Sequence, residues 1–372
     1  MSARKKRSQF GSARRLPSGR WQARYTAPNG ETVNAPVTFD TGEDARAWLK
    51  TVRTDMHRGR WHPGQTDPTT FASYAGAWVA NRLVRGRPIK PRTAAHYRRI
   101  LERLILPALG SVRVRDLTPE LVCSWYAKLP SAPTQRAHAY ALVKAICATA
   151  VDDDLLAANP CRIRGAGQAR RVSKTTPLTV EQLDALTAAM PQRYRAMTAL
   201  AAWCGLRFGE LIELRRRDVD TRAGVVHVRR AAVLVDGQFL VGTPKSEAGE
   251  RNVTIPPHVL PLVRDHLHRM GVTGRDALLF PAAGDPAKHM RSATLAKVFY
   301  AARDKIDRPD LRWHDLRHVG ATFAALAGAN QADLQDRFGW STSAVAARYV
   351  HAARGRDAEI AQKLSELAGV PL

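Results

Sequence analysis

Two interruptions decide how this chain can fold. Trp61-His62-Pro63-Gly64-Gln65-Thr66-Asp67-Pro68 carries two prolines and a glycine, and Arg162-Ile163-Arg164-Gly165-Ala166-Gly167-Gln168-Ala169-Arg170-Arg171 is glycine- and arginine-rich with little apolar content. Proline removes a backbone donor and glycine pays the largest entropy on ordering, so neither stretch favours a regular element. Both read as linkers, the second as a flexible basic tether. A length of 372 residues also exceeds one ordinary core. Three bodies are therefore expected, over residues 1–62, 69–160 and 177–372.

Charge says what the bodies share. Lys and Arg number 58 against 33 Asp and Glu, a net +25. Residues 1–65 carry 13 basic and 5 acidic groups, residues 66–165 carry 15 and 7, and the remainder 30 and 21. A single basic tail would leave the rest neutral, so a polyanion lined by the whole chain is expected, with nucleic acid the default. The plainer alternative is a basic but otherwise unspecialised protein. The four cysteines lie far apart, with no C-x-x-C pair. That spacing disfavours a zinc ribbon and fits a reduced, cytoplasmic setting. No apolar run is long enough to span a bilayer.

The first body opens with Arg4-Lys5-Lys6-Arg7. Strand candidates follow at residues 11–15, 20–25 and 32–39, separated by turn signals. Trp21, Ala23 and Tyr25 alternate with Arg20, Gln22 and Arg24, giving one apolar and one basic face. Thr41 reads as the N-cap of a helix carrying Ala45, Trp48, Leu49 and Val52. A narrow basic sheet on one helix can enter a DNA groove, with Arg4, Lys5, Lys6, Arg7, Arg20 and Arg24 as candidate contacts. The alternative is an ordinary small α+β domain with a solvated basic face.

The second body reads as four helices. Phe71, Tyr74, Ala75, Trp78 and Val79 share one face. A helix from Pro91 puts Tyr97, Ile100, Leu101, Leu104 and Ile105 inside, leaving Arg92, Arg98 and Arg99 as candidate DNA contacts. Thr118-Pro119 opens a third helix, and residues 133–151 make a fourth. A plain structural bundle stands nearly level with a DNA-binding one at this point.

In the third body Thr179 caps a helix, and another over residues 194–204 ends at Gly205. Arg207 follows in Gly205-Leu206-Arg207-Phe208-Gly209-Glu210-Leu211. Residues 225–235, 238–242 and 252–255 are strand-like, and the turn after residue 242 carries Thr243-Pro244-Lys245-Ser246. His314, Arg317 and His318 stand at i, i+3 and i+4, so they share a helix face. His-x-x-x-His suggests zinc, but Asp315 stands where the zinc-protease pattern has glutamate, an arginine lies between, and no third ligand follows nearby. The other alternative is a pair of capping and core histidines.

Arg207, Lys245, His314-Asp315-Leu316-Arg317-His318, Phe338-Gly339-Trp340-Ser341 and Tyr349 together resemble, in order and spacing, the tyrosine recombinases of the phage-integrase family. The likeness spans residues 69–365, and the first body looks like the family's arm-binding domain. It implies a fold that is mainly α with small β elements (α+β): a three-stranded sheet plus helix, a four-helix core-binding domain and a mixed, mainly helical catalytic domain. It implies a site-specific DNA recombinase in which Arg207, Lys245, His314, Arg317 and Trp340 serve the nucleophile Tyr349, supported by Glu210 and His318. The position of Trp340 is more often histidine in the family. An indole N–H donates but exchanges no proton at neutral pH, so Trp340 is assigned as donor and packing element.

Tyr349 would form a 3′-phosphotyrosine and release a 5′-hydroxyl, keeping bond energy in the ester, so no cofactor and no metal are required. Arg207 and Arg317 would clamp the non-bridging oxygens, and Lys245 would protonate the leaving oxygen. Implied partners are double-stranded DNA at core and arm sites, a homotetramer on that DNA, and host DNA-bending and directionality factors. The setting would be bacterial, cytoplasmic and nucleoid-associated. Ile360, Leu364 and Leu367 form an apolar stripe after Tyr349 that would dock on a neighbouring subunit or on its own domain. A cellular resolvase of the same family, a non-catalytic DNA-binding protein on the same fold and a stand-alone topoisomerase of the same chemistry, which the arm-like first body disfavours, are the rival readings.

Overall fold

The computed structural model of the chain describes residues 10–28, 30–57, 69–169, 176–244 and 247–350, with 361, 362, 364–366 and 368 near the C-terminus. Arg4, Lys5, Lys6, Arg7, the linker at residues 61–68, Lys245, Ile360 and Leu367 lie outside them. The chain divides into two units, residues 1–170 and 171–372.

In the first unit β1 (Ser12–Arg15), β2 (Trp21–Thr26) and β3 (Thr32–Asn34) form an antiparallel sheet in chain order. The alternation along β2 buries Ala23 and Tyr25 with Ala45 and Leu49 of α1 (Gly42–His57). The Thr41 hydroxyl accepts the Asp44 N–H at 3.1 Å, the cap read from sequence. The third strand is shorter than residues 32–39, because Pro36 has no N–H to pair; only Phe39 rejoins, opposite Trp21. Arg20 turns along the sheet to Asp40 at 2.6 Å and to both oxygens of Thr38. Its guanidinium is thus engaged within the module, while Arg24 is exposed.

The helical part runs α2 (Phe71–Asn81), β4 (Leu83–Val84), β5 (Arg87–Pro88), α3 (Pro91–Ile100), a π-turn over Leu101–Ile105, α4 (Leu106–Leu109), α5 (Pro119–Ala127) and α6 (Pro133–Asp152). Phe71, Ile105, Leu109, Tyr140 and Ile146 fill its core. The π-turn precedes Pro107, which cannot donate to the preceding turn and crowds its carbonyl. Thr118 caps α5, with Pro119 at the first helical position. Part of the expected flexible tether is fixed instead: the Ile163 N–H donates to the Tyr140 hydroxyl at 2.7 Å, and Ala166 is buried. A buried phenol that needs a partner accounts for the difference.

The second unit starts with α7 (Val180–Ala189), held by a Thr179–Gln182 capping box, then α8 (Gln192–Trp203) and α9 (Phe208–Glu213). Next come β6 (Val219–Asp220), β7 (Val225–Val228), the hairpin of β8 (Ala231–Val235) and β9 (Gln238–Gly242), and β10 (Arg251–Thr254); β10, β7 and β6 form a sheet in that order. Then follow α10 (Leu260–Arg269), β11 (Pro281–Ala282), β12 (Asp285–His289), α11 (Ser292–Asp304), α12 (Asp315–Leu326), α13 (Gln331–Phe338) and α14 (Ser343–Val350). The strand-like run 225–235 breaks at Arg229-Arg230. There Arg230 reaches the buried carboxylates of Glu213 at 3.1 Å and Asp218 at 2.5 Å. Arg215 and His289 meet the same Glu213. The core joins α8 to α12, where Gly320 lies against the Ala202 carbonyl with no room for a Cβ. A smaller core of Ala321, Ala325, Leu334, Phe338 and Ala346 holds α12, α13 and α14 together.

Candidate active site

Helix termini bring the site together. Helix α8 stops at Cys204, and Gly205 takes a left-handed φ of +62°, which turns the chain so that Arg207 begins α9. Arg207 donates through Nη1 to Glu210 Oε1 at 2.6 Å and through Nη2 to the Gly339 carbonyl at 3.1 Å. Glu210, 2% exposed, also accepts the Arg207 N–H at 2.9 Å and Arg251 Nη2 at 3.0 Å. Burial alone would raise this carboxyl; Arg251 and then Arg207 outweigh it and hold Glu210 below the ordinary carboxylate range.

Helix α12 presents its shared face as the i, i+3, i+4 spacing predicts. His314 sits at the N-cap position. Arg317, 3% exposed, donates through Nη1 to the Gly205 carbonyl and through Nη2 to the Phe338 carbonyl. Burial, then the charges of Arg207 and Arg251, lower its pKa to about 9, so it stays a cation at neutral pH. His314 is exposed, yet its pKa is held below the ordinary value by the surrounding protein and then by His318, Arg317 and Arg207. His314 and His318 meet edge to face at 5.2 Å between centroids. Among the described residues no group of three His, Cys, Asp or Glu side chains is arranged to hold a metal ion.

Helix α13 is capped by Asn330 with Asp333 and ends at Gly339, left-handed at φ +58°. That turn stacks Trp340 between Phe338 at 5.1 Å and Tyr349 at 5.2 Å. Tyr349, on α14, is half-buried, and its hydroxyl hydrogen-bonds His318 Nδ1. Of the eight expected site residues, Arg207 pairs with Glu210, and Arg317, Trp340, Tyr349 and His318 touch in a row; the two groups meet at the Phe338-Gly339 carbonyls, and His314 stands against His318. Lys245 lies outside the described residues.

One positioning residue was missed. Arg251, 7% exposed, donates to Glu210, to the Gly249 carbonyl at 3.1 Å and to the Arg337 carbonyl at 2.8 Å. It therefore ties the segment after Lys245 and the turn before Trp340 to the acid that orients Arg207. The signal was present: in Arg251-Asn252-Val253-Thr254 the arginine falls on the buried face with Val253. Two guanidiniums on one buried carboxylate, with a third, Arg317, held by backbone carbonyls close by and a hydrogen-bonded phenol beside them, make a site for an anion that a phenol can attack.

The comparisons with known proteins agree. Three family models match: the N-terminal domain of phage integrase over residues 9–58, the N-terminal SAM-like domain of phage integrase over 70–129, and the phage integrase family over 176–356. The chain is 48% identical over 372 residues to the putative prophage phiRv2 integrase of Mycobacterium tuberculosis, covering 99% of this chain and 98% of that one. It is 37% identical to the integrase of Mycobacterium phage D29, over the full length of both. Among solved structures it resembles a Tn1549 transposon integrase in complex with a circular intermediate DNA (TM-score 0.64, 19% identity, 76% of this chain and 95% of that one). It also resembles a lambda integrase dimer bound to a COC′ core site (TM-score 0.55, 15% identity, 96% and 98%). These two likenesses carry the fold. The full-length identity to named integrases carries the rest: the chain belongs to the phage integrase family and is a tyrosine recombinase working as a site-specific integrase.

Proposed function

We propose that Tyr349 attacks a DNA phosphodiester and that the seven other named site residues serve that step. The Tyr349 oxygen bonds to phosphorus, the bond to the 5′ oxygen breaks, and the 3′ side stays on the enzyme as a phosphotyrosine. A free phenol titrates near ~10, so the nucleophile needs a base. His318 Nδ1 is in hydrogen-bonding position to take the proton. Lys245 returns a proton to the leaving 5′ oxygen. Arg207 and Arg317 compensate charge on the non-bridging oxygens, and His314 and the Trp340 indole N–H donate to them. A 5′-hydroxyl from another strand reverses the step and completes transfer, with no cofactor.

The observation that carries this reading is the Tyr349–His318 hydrogen bond beside Trp340, next to the arginines gathered on Glu210. In the same reading residues 1–62 bind arm-type DNA sites, residues 69–160 bind the core site through Arg92, Arg98 and Arg99, and residues 177–372 catalyse. Four copies act on the DNA in a bacterial cytoplasm, assisted by DNA-bending and directionality factors. The test is a nicked suicide duplex drawn from DNA flanking the coding sequence. Wild type should form a covalent protein–DNA adduct, and Tyr349→Phe should form none. An adduct that survives in Tyr349→Phe overturns the assignment.

A further inference from the structure

The hairpin between α2 and α3 is unused by this mechanism. Residues 68–101 contain no acidic side chain and seven basic ones, Arg82, Arg85, Arg87, Lys90, Arg92, Arg98 and Arg99. Within that stretch Leu83 pairs with Pro88 and Val84 with Arg87, leaving a two-residue turn, Arg85-Gly86. Both turn residues have positive φ, +53° and +73°, the type I′ geometry that suits a tight hairpin. Left-handed arginine costs conformational energy that a glycine or asparagine would avoid, yet arginine stands at the tip. Arg85 and Arg87 are exposed and meet no carboxylate among the described residues. Leu83 and Val84 are 55% and 53% exposed, on the same projection. A Cβ on Gly86 would meet nothing within 4 Å, so the tip is open on that side.

We infer that this hairpin is a minor-groove reader: its tip, Arg85-Gly86-Arg87, enters the minor groove beside the DNA segment that α3 contacts. This rests on the DNA reading of α3 above. Dimensions choose the groove. A helix of about 10–12 Å diameter fits the major groove, about 12 Å wide, and not the minor groove, about 6 Å wide. Arg92, Arg98 and Arg99 are exposed along α3. Only Ile89 and Lys90 separate β5 from α3, so the hairpin reaches the adjoining groove rather than another stretch of the same one. The two strands stay outside, the tip arginines reach in, and the glycine lets the backbone approach the rim. Arginine is the side chain drawn to the enhanced negative potential of a narrow minor groove. Leu83 and Val84 then offer apolar side chains of the kind that minor-groove proteins press against base steps.

Minor-groove chemistry makes a sharp test. An I·C pair presents the minor groove of A·T with the major-groove edge of G·C; a G·C pair adds the N2 amino group to the minor groove. The full chain should bind 30-base-pair alternating A·T and I·C duplexes alike, and at least about fivefold tighter than alternating G·C. In the double variant Arg85→Asn, Arg87→Thr that preference should fall within about twofold. Asparagine tolerates the left-handed turn and threonine suits a strand, so an unchanged melting temperature checks the fold. I·C ranking with G·C, or a preference that persists in the variant, overturns the inference while leaving DNA binding intact. Unchanged preference with loss of self-association in the variant assigns the hairpin to a second copy and also overturns it. Failure of wild type to bind any duplex would overturn the DNA reading itself.

Discussion

Arg251→Met should separate the fold of the site from its charge. Methionine has a similar reach but supplies none of the three donors that Arg251 sends to Glu210, Gly249 and Arg337. Glu210 would then sit buried with Arg207 as its one remaining cation, and two carbonyls would lose their partner. Breaking a buried ion pair from one side costs about 3–5 kcal/mol. For a body of this size each kcal/mol lowers the melting midpoint by about 2–4 °C, so the transition of residues 171–372 should drop by roughly 6–20 °C in a calorimetric scan of the whole chain. Arg251→Lys keeps the charge, but one ammonium cannot serve three directions, so it should fall between. Adding Glu210→Gln to Arg251→Met should cost less than the two single changes together, because the orphan charge disappears. Adduct formation on the nicked duplex should slow by about 10²–10³, the scale for losing one oriented charge-stabilising donor, since Arg207 loses the acid that aims it. A midpoint within 2 °C of wild type, or an adduct rate that ignores the substitution at a temperature where the variant is folded, would refute the positioning role.

Three further outcomes follow from the same geometry. By NMR, His314 should titrate below its ordinary value, and Arg207→Ala should move it up by removing a repelling charge. Because folding favours neutral His314, its contribution to stability is present above the unfolded pKa of ~6.5 and is lost as pH falls below it; a midpoint at or above 6.5 contradicts this. Gly320→Ala drives a Cβ into the Ala202 carbonyl and should cost about 1–3 kcal/mol, whereas Gly284→Ala, with open space around it, should leave the midpoint unchanged. A maleimide should label the folded chain at Cys123 alone; Cys147, Cys161 and Cys204 are buried, and burial pushes the Cys204 thiol up to about 12. Rapid labelling of two or more thiols would sink that reading.

What could be read from the sequence was decided by range. Thr179, Thr118-Pro119 and Gly205 were legible because a cap, a first-turn proline and a left-handed stop satisfy hydrogen bonds within four residues. The His314, Arg317 and His318 face was legible because helical spacing fixes it. Arg251 was not placed, because its partners lie 41 positions back and 86 forward, and nothing local names them. The carbonyls of Gly205, Phe338 and Gly339 that hold the site arginines are backbone atoms, with no residue signature at all. The β4–β5 hairpin escaped because two-residue strands are too short to show alternation. The tether at 162–168 misled because composition records glycine and arginine but not the buried Tyr140 hydroxyl waiting for Ile163.

The charge count of the site carries one step further. Arg207 and Arg251 share the Glu210 carboxylate, while Arg317, buried nearby, donates only to the carbonyls of Gly205 and Phe338. Like charges gathered at that cost are a poor way to stabilise a fold, since hydrophobic residues of the same volume serve as well or better. Burial first, and the charges of Arg207 and Arg251 after it, disfavour the Arg317 cation, and an anion alongside would offset both. Arginine does not lose its proton at neutral pH, so the anion is the remaining relief. A phosphate between Arg207 and Arg317 would therefore stabilise residues 171–372 as well as being activated by them. Binding energy at the scissile phosphate and order around Tyr349 are then the same quantity, and a duplex with a neutral methylphosphonate at that one position should lose both tightness of binding and protection of α13 and α14 from hydrogen exchange.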